Sequence, residues 1–187
     1  MHRNLITLLL AALLAPNLIA QPQAETLLVT APTGYKVVTQ VRKGQIATVE
    51  MLPVAEDLDT WTEMLTIQTF FGLKTATPPK FRELMATQWK KACDRSESYK
   101  VAEAIERGYP VAVWYLSCDR NTQSGKPELT WFKAVQGNDS FYVVQKAFRF
   151  EPTNEQMKPW IEYLRDIRLC DTRLPIQACP TLAPAKQ

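Results

Sequence analysis

Between residues 25 and 71, segments rich in β-branched apolar residues alternate with short polar turns, the pattern of extended chain. Val, Thr and Ile crowd the segments Glu25–Ala31, Tyr35–Val41 and Gln45–Leu52, separated by Pro32-Thr33-Gly34 and Lys43-Gly44. Three strands joined by turns are predicted there. Trp61–Phe71 alternates with a period of two: Leu65, Ile67, Thr69 and Phe71 fall on one face, Met64, Thr66, Gln68 and Phe70 on the other. That is a half-buried strand, ended by Gly72 and then Pro78-Pro79.

The period then changes. Phe81, Leu84, Met85, Trp89, Ala92 and Cys93 recur at helical spacing, with Pro79 near the first turn, so an amphipathic helix is predicted. A stripe of Trp and Met at this spacing belongs to a core rather than to a ligand groove. Tyr99–Arg107 reads as strand or helix, because Ala102-Glu103-Ala104 favours helix and its flanks do not. Pro110–Cys118 is apolar on both faces through Val111-Ala112-Val113-Trp114-Tyr115-Leu116, as expected of a central strand covered on both sides.

Asp119–Pro127 is a polar loop. Leu129–Gln136 and Ser140–Phe150 form a hairpin across Gly137-Asn138-Asp139, residues suited to positive φ. In its second strand Tyr142, Val144, Phe148 and Phe150 share a face, with Lys146 among them. A last helix carries Met157, Trp160, Ile161, Leu164 and Ile167 as its stripe, with Thr153 and Gln156 spaced for a capping box. Pro159 should kink or restart it. The fold class expected is α+β: an antiparallel sheet of about six to eight strands with two main amphipathic helices packed on it, stabilised by disulfides.

The N-terminus changes the setting. Arg3 precedes an apolar run from Leu5 to Leu14, Pro16 follows, and a small residue stands at Ala20. This is the plan of a secretory signal peptide, too short for a membrane anchor. The expected organisation is a leader over 1–20, cut after Ala20, one α+β domain over 21–179, and a disordered tail over 180–187. No transmembrane segment is expected in the mature chain, which would be soluble and periplasmic or secreted. His2 is the only histidine and would leave with the leader, so Ser-His-Asp and Cys-His mechanisms and imidazole-bound zinc are not available to the mature chain.

The hydrophobic fraction of 46% fits a packed globule, and loss of Arg3 lowers the net charge from +3 to +2. A balance so near neutral, with scattered basic residues, does not suggest nucleic acid. Lys90-Lys91 with Arg95 is the densest basic group and reads as a solvated helix face. Cys93, Cys118, Cys170 and Cys179 make an even count behind a leader, which points to two disulfides. Three pairings are possible; Cys93–Cys118 with Cys170–Cys179 is preferred, the second closing a short loop around Pro175. No C-x-x-C spacing supports a redox dithiol or zinc knuckle.

Candidate chemistry is sparse. Glu56-Asp57-Leu58-Asp59 could pair acids or hold a cation but reads as a solvated loop. Ser124-Gly125-Lys126 lacks the earlier glycine of a phosphate loop and reads as a turn. No catalytic, cofactor or metal residue is assigned, and no cofactor is expected. A binding patch is expected at Trp131 and Tyr142 on an outward hairpin face, with Asp119 and Arg120 as a recognition pair on the neighbouring loop.

The order of strands, helix, strands and final helix resembles the PsbP-like fold, an antiparallel sheet with helices on its faces. That resemblance rests on element order, carries over no site residue, and includes no cysteine signature. It implies an exported or lumenal accessory protein that binds partners. The reading preferred is therefore a non-enzymatic envelope module with a protein partner and no nucleic acid. The alternative is a histidine-independent hydrolase using carboxylates or a Ser–Lys pair.

Overall fold

The computed structural model describes residues 24–180; the expected leader and most of the expected tail lie outside the described residues. Seven strands pair antiparallel throughout: β2 (Tyr35–Lys43), β3 (Ile46–Pro53), β4 (Glu63–Phe71), β5 (Ser96–Glu106), β6 (Tyr109–Cys118), β7 (Glu128–Gln136) and β8 (Ser140–Phe148). Their spatial order is β2-β3-β4-β8-β7-β6-β5. A separate antiparallel pair joins β1 (Glu25–Leu28) to β9 (Arg168–Asp171). The α+β class and the strand count expected from periodicity hold.

The two helices lie on opposite faces of the large sheet. α1 (Pro78–Ala92) packs Phe81, Met85, Ala86 and Trp89 over Trp114, Phe132, Ala134, Phe141 and Val143. α2 (Asn154–Asp166) brings Met157, Trp160, Tyr163 and Leu164 to the other face, over Leu65, Trp131, Val144 and Phe148. Leu27 and Leu169 of the small sheet pack beside Val111, Val135 and Tyr142. Because side chains alternate along a strand, β7 and β8 feed both cores and are buried along most of their length.

Several sequence expectations need correction. Leu84 is 52% exposed and leaves the α1 stripe, since at about 100° per residue it lies about 60° outside the arc from Phe81 through Met85 and Trp89 to Ala86. Ile161 is likewise exposed, and Tyr163 takes its place, donating its hydroxyl to the Thr30 carbonyl at 2.8 Å. Residues 96–106 are a strand, not a helix, paired along their length with β6 and carrying a bulge between Lys100 and Ala102. That makes β6 the second strand from an edge rather than a central one; only its α1 side is fully covered. Thr153 and Gln156 form the expected capping box, and α2 runs through Pro159 without a break. β9 had no signal in the sequence, being four residues whose partner lies at the other end of the chain.

The hairpin between β7 and β8 closes without positive φ at residues 137–139. The carboxylate of Glu25 instead accepts from the amides of Asn138 (2.6 Å) and Asp139 (3.3 Å). Gly137 lets that carboxylate come close: a Cβ there would force the Glu25 side chain to move. Two disulfides complete the fold in the preferred pairing, Cys93–Cys118 and Cys170–Cys179, with Cα separations of 5.6 and 4.9 Å. The first ties the end of α1 to the end of β6. The second closes the segment after β9, where Pro175–Gln177 makes one 3-10 turn.

Candidate functional site

Most of the charged motifs visible in the sequence are engaged locally. Glu56 accepts from the Thr62 amide (2.7 Å) and hydroxyl (2.5 Å) and from the Glu63 amide (3.3 Å). Desolvation opposes its ionisation, but these bonds outweigh it and hold the carboxyl below its ordinary range. Asp57 Oδ1 accepts from the hydroxyl and amide of Thr60 and from the Asp59 amide, which lowers its carboxyl too. These acids tie a loop. In the 121–126 loop the Gln123 and Ser124 amides turn inward to Asn121 Oδ1, so they do not form an anion cradle. Among the described residues no serine hydroxyl bonds a lysine amine; Ser124 Oγ accepts from the Lys126 backbone N–H.

The expected patch residues are also accounted for. Asp119 pairs with Arg95 at 2.8 Å and Arg120 with Asp94 at 2.8 Å. These two ion pairs flank the Cys93–Cys118 bridge and stay largely exposed on its surface. Trp131 is 7% exposed and Tyr142 is 4% exposed; neither offers an outward face. Tyr142 donates to Glu25 Oε1 at 3.1 Å. Lys90 and Lys91 end α1 on its solvent side.

The surface that remains open is set by the helix positions. α1 covers its face of the sheet at β5–β7, and α2 sits on the reverse face toward β2, β4 and β8, where Trp160 meets Tyr35. On the α2 face, part of β5 and β6 therefore has no element above it among the described residues. Here Tyr99 pairs with Tyr115 and Tyr115 with Trp131 in register. Their rings stand in file, Tyr99 and Tyr115 at 4.7 Å and 18°, Tyr115 and Trp131 at 4.9 Å and 33°. Trp131 is the buried end of the file; Tyr99, at 41%, is the exposed end, beside exposed Val101. The Tyr99 hydroxyl donates to Glu97 on the same strand.

One step along the same face, Ser117 pairs with Leu129. These two, with Cys118, Asp119, Pro127, Glu128, Phe150 and Glu151, line a cleft of about 390 Å³. Burial pushes the Glu128 carboxyl up, against the opposing effects of the Thr130 hydroxyl and the Arg149 charge. The sequence hides this arrangement because the local pattern around Tyr99 suits strand and helix alike. Only its pairing with β6 brings it onto Tyr115.

A third polar feature lies beneath α2. Lys146 is fully buried, its Nζ donating to Glu63 Oε2 at 2.6 Å and to the Tyr35 hydroxyl at 2.7 Å. It also lies 3.9 Å from the Trp160 ring centroid. Desolvation pushes its amine down to about 8, with Glu63 acting in the opposite direction. The Tyr35 hydroxyl is pushed well above its ordinary range by burial and by its bond to Glu63. With no opening to solvent at the amine, this cage holds α2 to the sheet.

No family model matches the chain, and no curated protein is similar to it in sequence. Among solved structures it is similar to a mutant form of the protein Mog1, at 8% identity and a TM-score of 0.45 over 75% of this chain and 84% of that one. It is also similar to LpqN, a protein involved in cell envelope biogenesis of Mycobacterium tuberculosis. That match is at 12% identity and a TM-score of 0.37, over 81% of this chain and 86% of that one. Neither likeness is close enough to say what this chain does.

Proposed function

We propose that this chain is an exported envelope protein, periplasmic or secreted, acting as a non-enzymatic binding or accessory module that meets a protein partner on the open sheet surface over β5 and β6. One observation carries the reading: a file of three aromatic rings crosses three strands with no helix of the described residues above its outer end, where Tyr99 and Val101 are exposed. A tyrosine so placed offers an apolar face and a polar tip, the side-chain type enriched where proteins meet. The two disulfides support export, since such bonds persist in oxidising compartments. No helix of the described residues is long and apolar enough to cross a membrane. The PsbP-like resemblance, with its exported accessory members, agrees with this reading.

A photoreactive residue placed at Val101 is expected to give one dominant protein adduct in the intact envelope. The same residue placed at exposed Leu58, in the loop before β4, is expected to give none. Tyr99→Ala should remove the Val101 adduct while leaving the thermal midpoint within a few degrees. Equal adducts at both positions, or an adduct indifferent to Tyr99, would overturn the proposal.

One observation favours a second reading, a hydrolase that uses carboxylates: Glu128, its carboxyl raised by burial, shares the 390 Å³ cleft with Asp119, Glu151 and Ser117. A carboxyl raised by burial with further acids in the same cleft is the arrangement general acid chemistry needs. Under this reading the protein turns over members of a chromogenic glycoside and ester panel with an acid-side pH optimum, and Glu128→Gln lowers the rate at least about 100-fold. Turnover that survives Glu128→Gln unchanged rules it out.

A further inference from the structure

Nine arginines lie in the described part of the chain. Arg82, Arg95, Arg120 and Arg173 form ion pairs with carboxylates. Arg42 and Arg149 lie over the rings of Phe71 and Trp61. The three that remain, Arg107, Arg165 and Arg168, have neither kind of partner among the described residues, and all three line one cleft. Its volume is about 190 Å³, and its other walls are Glu106, Tyr109, Val111, Val135 and Leu169.

The acids nearby do not neutralise this group. Glu106, the one carboxylate in the wall, is bound at 2.7 Å by fully buried Lys133, whose amine also donates to the Ile167 carbonyl at 2.8 Å. Asp166 lines a different recess with Leu28, Thr30, Tyr163 and Ile167. The C-terminal end of α2 contributes about half a negative charge at most, screened by solvent. Three arginines thus line one small cleft with no counter-ion among the described residues.

One of the three is held in place at a conformational cost. Arg107 is the one non-glycine residue with positive φ among those described, at 52°, a conformation that arginine adopts rarely. The segment closed by Cys170–Cys179 clamps it: Gln177 Nε2 donates to the Arg107 carbonyl at 2.8 Å, and the guanidinium donates to the carbonyls of Ile176 (3.3 Å) and Ala178 (3.4 Å). Strained backbone that the surrounding structure enforces tends to occur at ligand sites.

We propose that this cleft binds a phosphate-type oxyanion, held by Arg107, Arg165 and Arg168. A carboxylate presents two oxygens and is satisfied by one bidentate guanidinium, whereas a tetrahedral phosphate presents enough acceptors for three. The cleft is too small for a drug-sized ligand and fits the anionic group alone. Val111, Val135 and Leu169 in its wall can take the first carbons of whatever carries that group. The carrier is either free phosphate or the headgroup of an anionic lipid.

The test follows the arginine Nε–H and backbone amide NMR signals of the oxidised protein during titration with inorganic phosphate, with acetate as the carboxylate control. In parallel, the protein is sedimented with vesicles of phosphatidylglycerol in phosphatidylcholine, and with phosphatidylcholine alone. Saturable shifts confined to Arg107, Gly108, Arg165, Arg168 and Leu169 are expected, weakened at least tenfold by Arg165→Gln with Arg168→Gln. Lys90→Gln with Lys91→Gln should change nothing. Arg107→Gly, which relieves the backbone and removes one guanidinium, should weaken binding without lowering the thermal midpoint. Saturation by free phosphate without vesicle binding assigns the free ion; arginine-dependent sedimentation with phosphatidylglycerol alone assigns the headgroup. Linear shifts spread over all basic residues, an equal response to acetate, or binding indifferent to the arginines would overturn the proposal.

Discussion

Replacing Glu63 with leucine is expected to cost the folded state about 3 kcal/mol at pH 6, because it leaves the buried Lys146 amine without its bonded counter-charge. The contact removed is the 2.6 Å ion pair, and the Tyr35 hydroxyl alone would remain at 2.7 Å. Lys146→Met should cost less, since Glu63 is partly exposed and can turn to water. The double variant should lie close to wild type, as a buried ion pair replaced by apolar groups of similar volume often does. Urea midpoints of the four proteins measure this cycle. A Glu63→Leu loss under about 1 kcal/mol, or a double variant as unstable as the single one, would show that the pair is not coupled.

The same pair fixes a pH dependence. Lys146 has its folded value near 8, against 10.5 for an ordinary lysine, through desolvation. Between those values the unfolded chain binds more protons, so stability rises with pH through that window. The rise attributable to this amine is about 3 kcal/mol if completed. It is cut off near pH 10, where burial of the Tyr35, Tyr109, Tyr142 and Tyr163 hydroxyls, all pushed up, begins to favour the unfolded chain. Glu63→Leu removes the charge that supports protonated Lys146, so its rise should begin at lower pH and its deficit should narrow toward pH 9. Parallel stability curves for the two proteins would contradict this account.

Trp114→Ala is expected to destabilise by about 3–5 kcal/mol, the range for truncating a large aromatic in a closed core. Trp114 is fully buried under α1, stacked on Phe132 at 4.9 Å and 1° and edge-on to Phe81 at 6.3 Å. Its indole N–H has no acceptor among the described residues, a burden of about 1–3 kcal/mol that Phe would not carry. Trp114→Phe should therefore lose under half as much as Trp114→Ala, because the orphaned donor leaves along with the lost volume. Tyr99→Ala, at the exposed end of the other aromatic file, sets the scale for a surface ring. Chemical denaturation orders the three, and equal losses for Trp114→Ala and Tyr99→Ala would show that this core is not packed as described.

Local pattern made the strands and helices legible. Period-two alternation in Trp61–Phe71 put Leu65 and Ile67 on one face and Phe70 on the other, and the two faces feed different cores. Spacing of Thr153 and Gln156 gave the α2 cap. Boundaries drifted where a segment's state depends on its partner. β5 reads as helix or strand until β6 is laid beside it, and β9 exists through its pairing with β1. Lys133 and Lys146 stood among apolar neighbours in the sequence, yet their acids, Glu106 and Glu63, are 27 and 83 residues away.

The amino-acid sequence by itself determined the α+β class, the alternation of faces and the cysteine count, because each depends on residue type and near-neighbour spacing along the chain. Strand order, the diagonal placement of α1 and α2, and therefore the uncovered stretch over β5–β6, were decided in three dimensions. So were the cleft where Arg107 meets Arg165 and Arg168, and the burial of Trp131 and Tyr142. Side-chain periodicity tells which residues share a face, but not what lies above that face. That cover is set by contacts between segments far apart in the chain, and it makes one aromatic ring core and its neighbour surface.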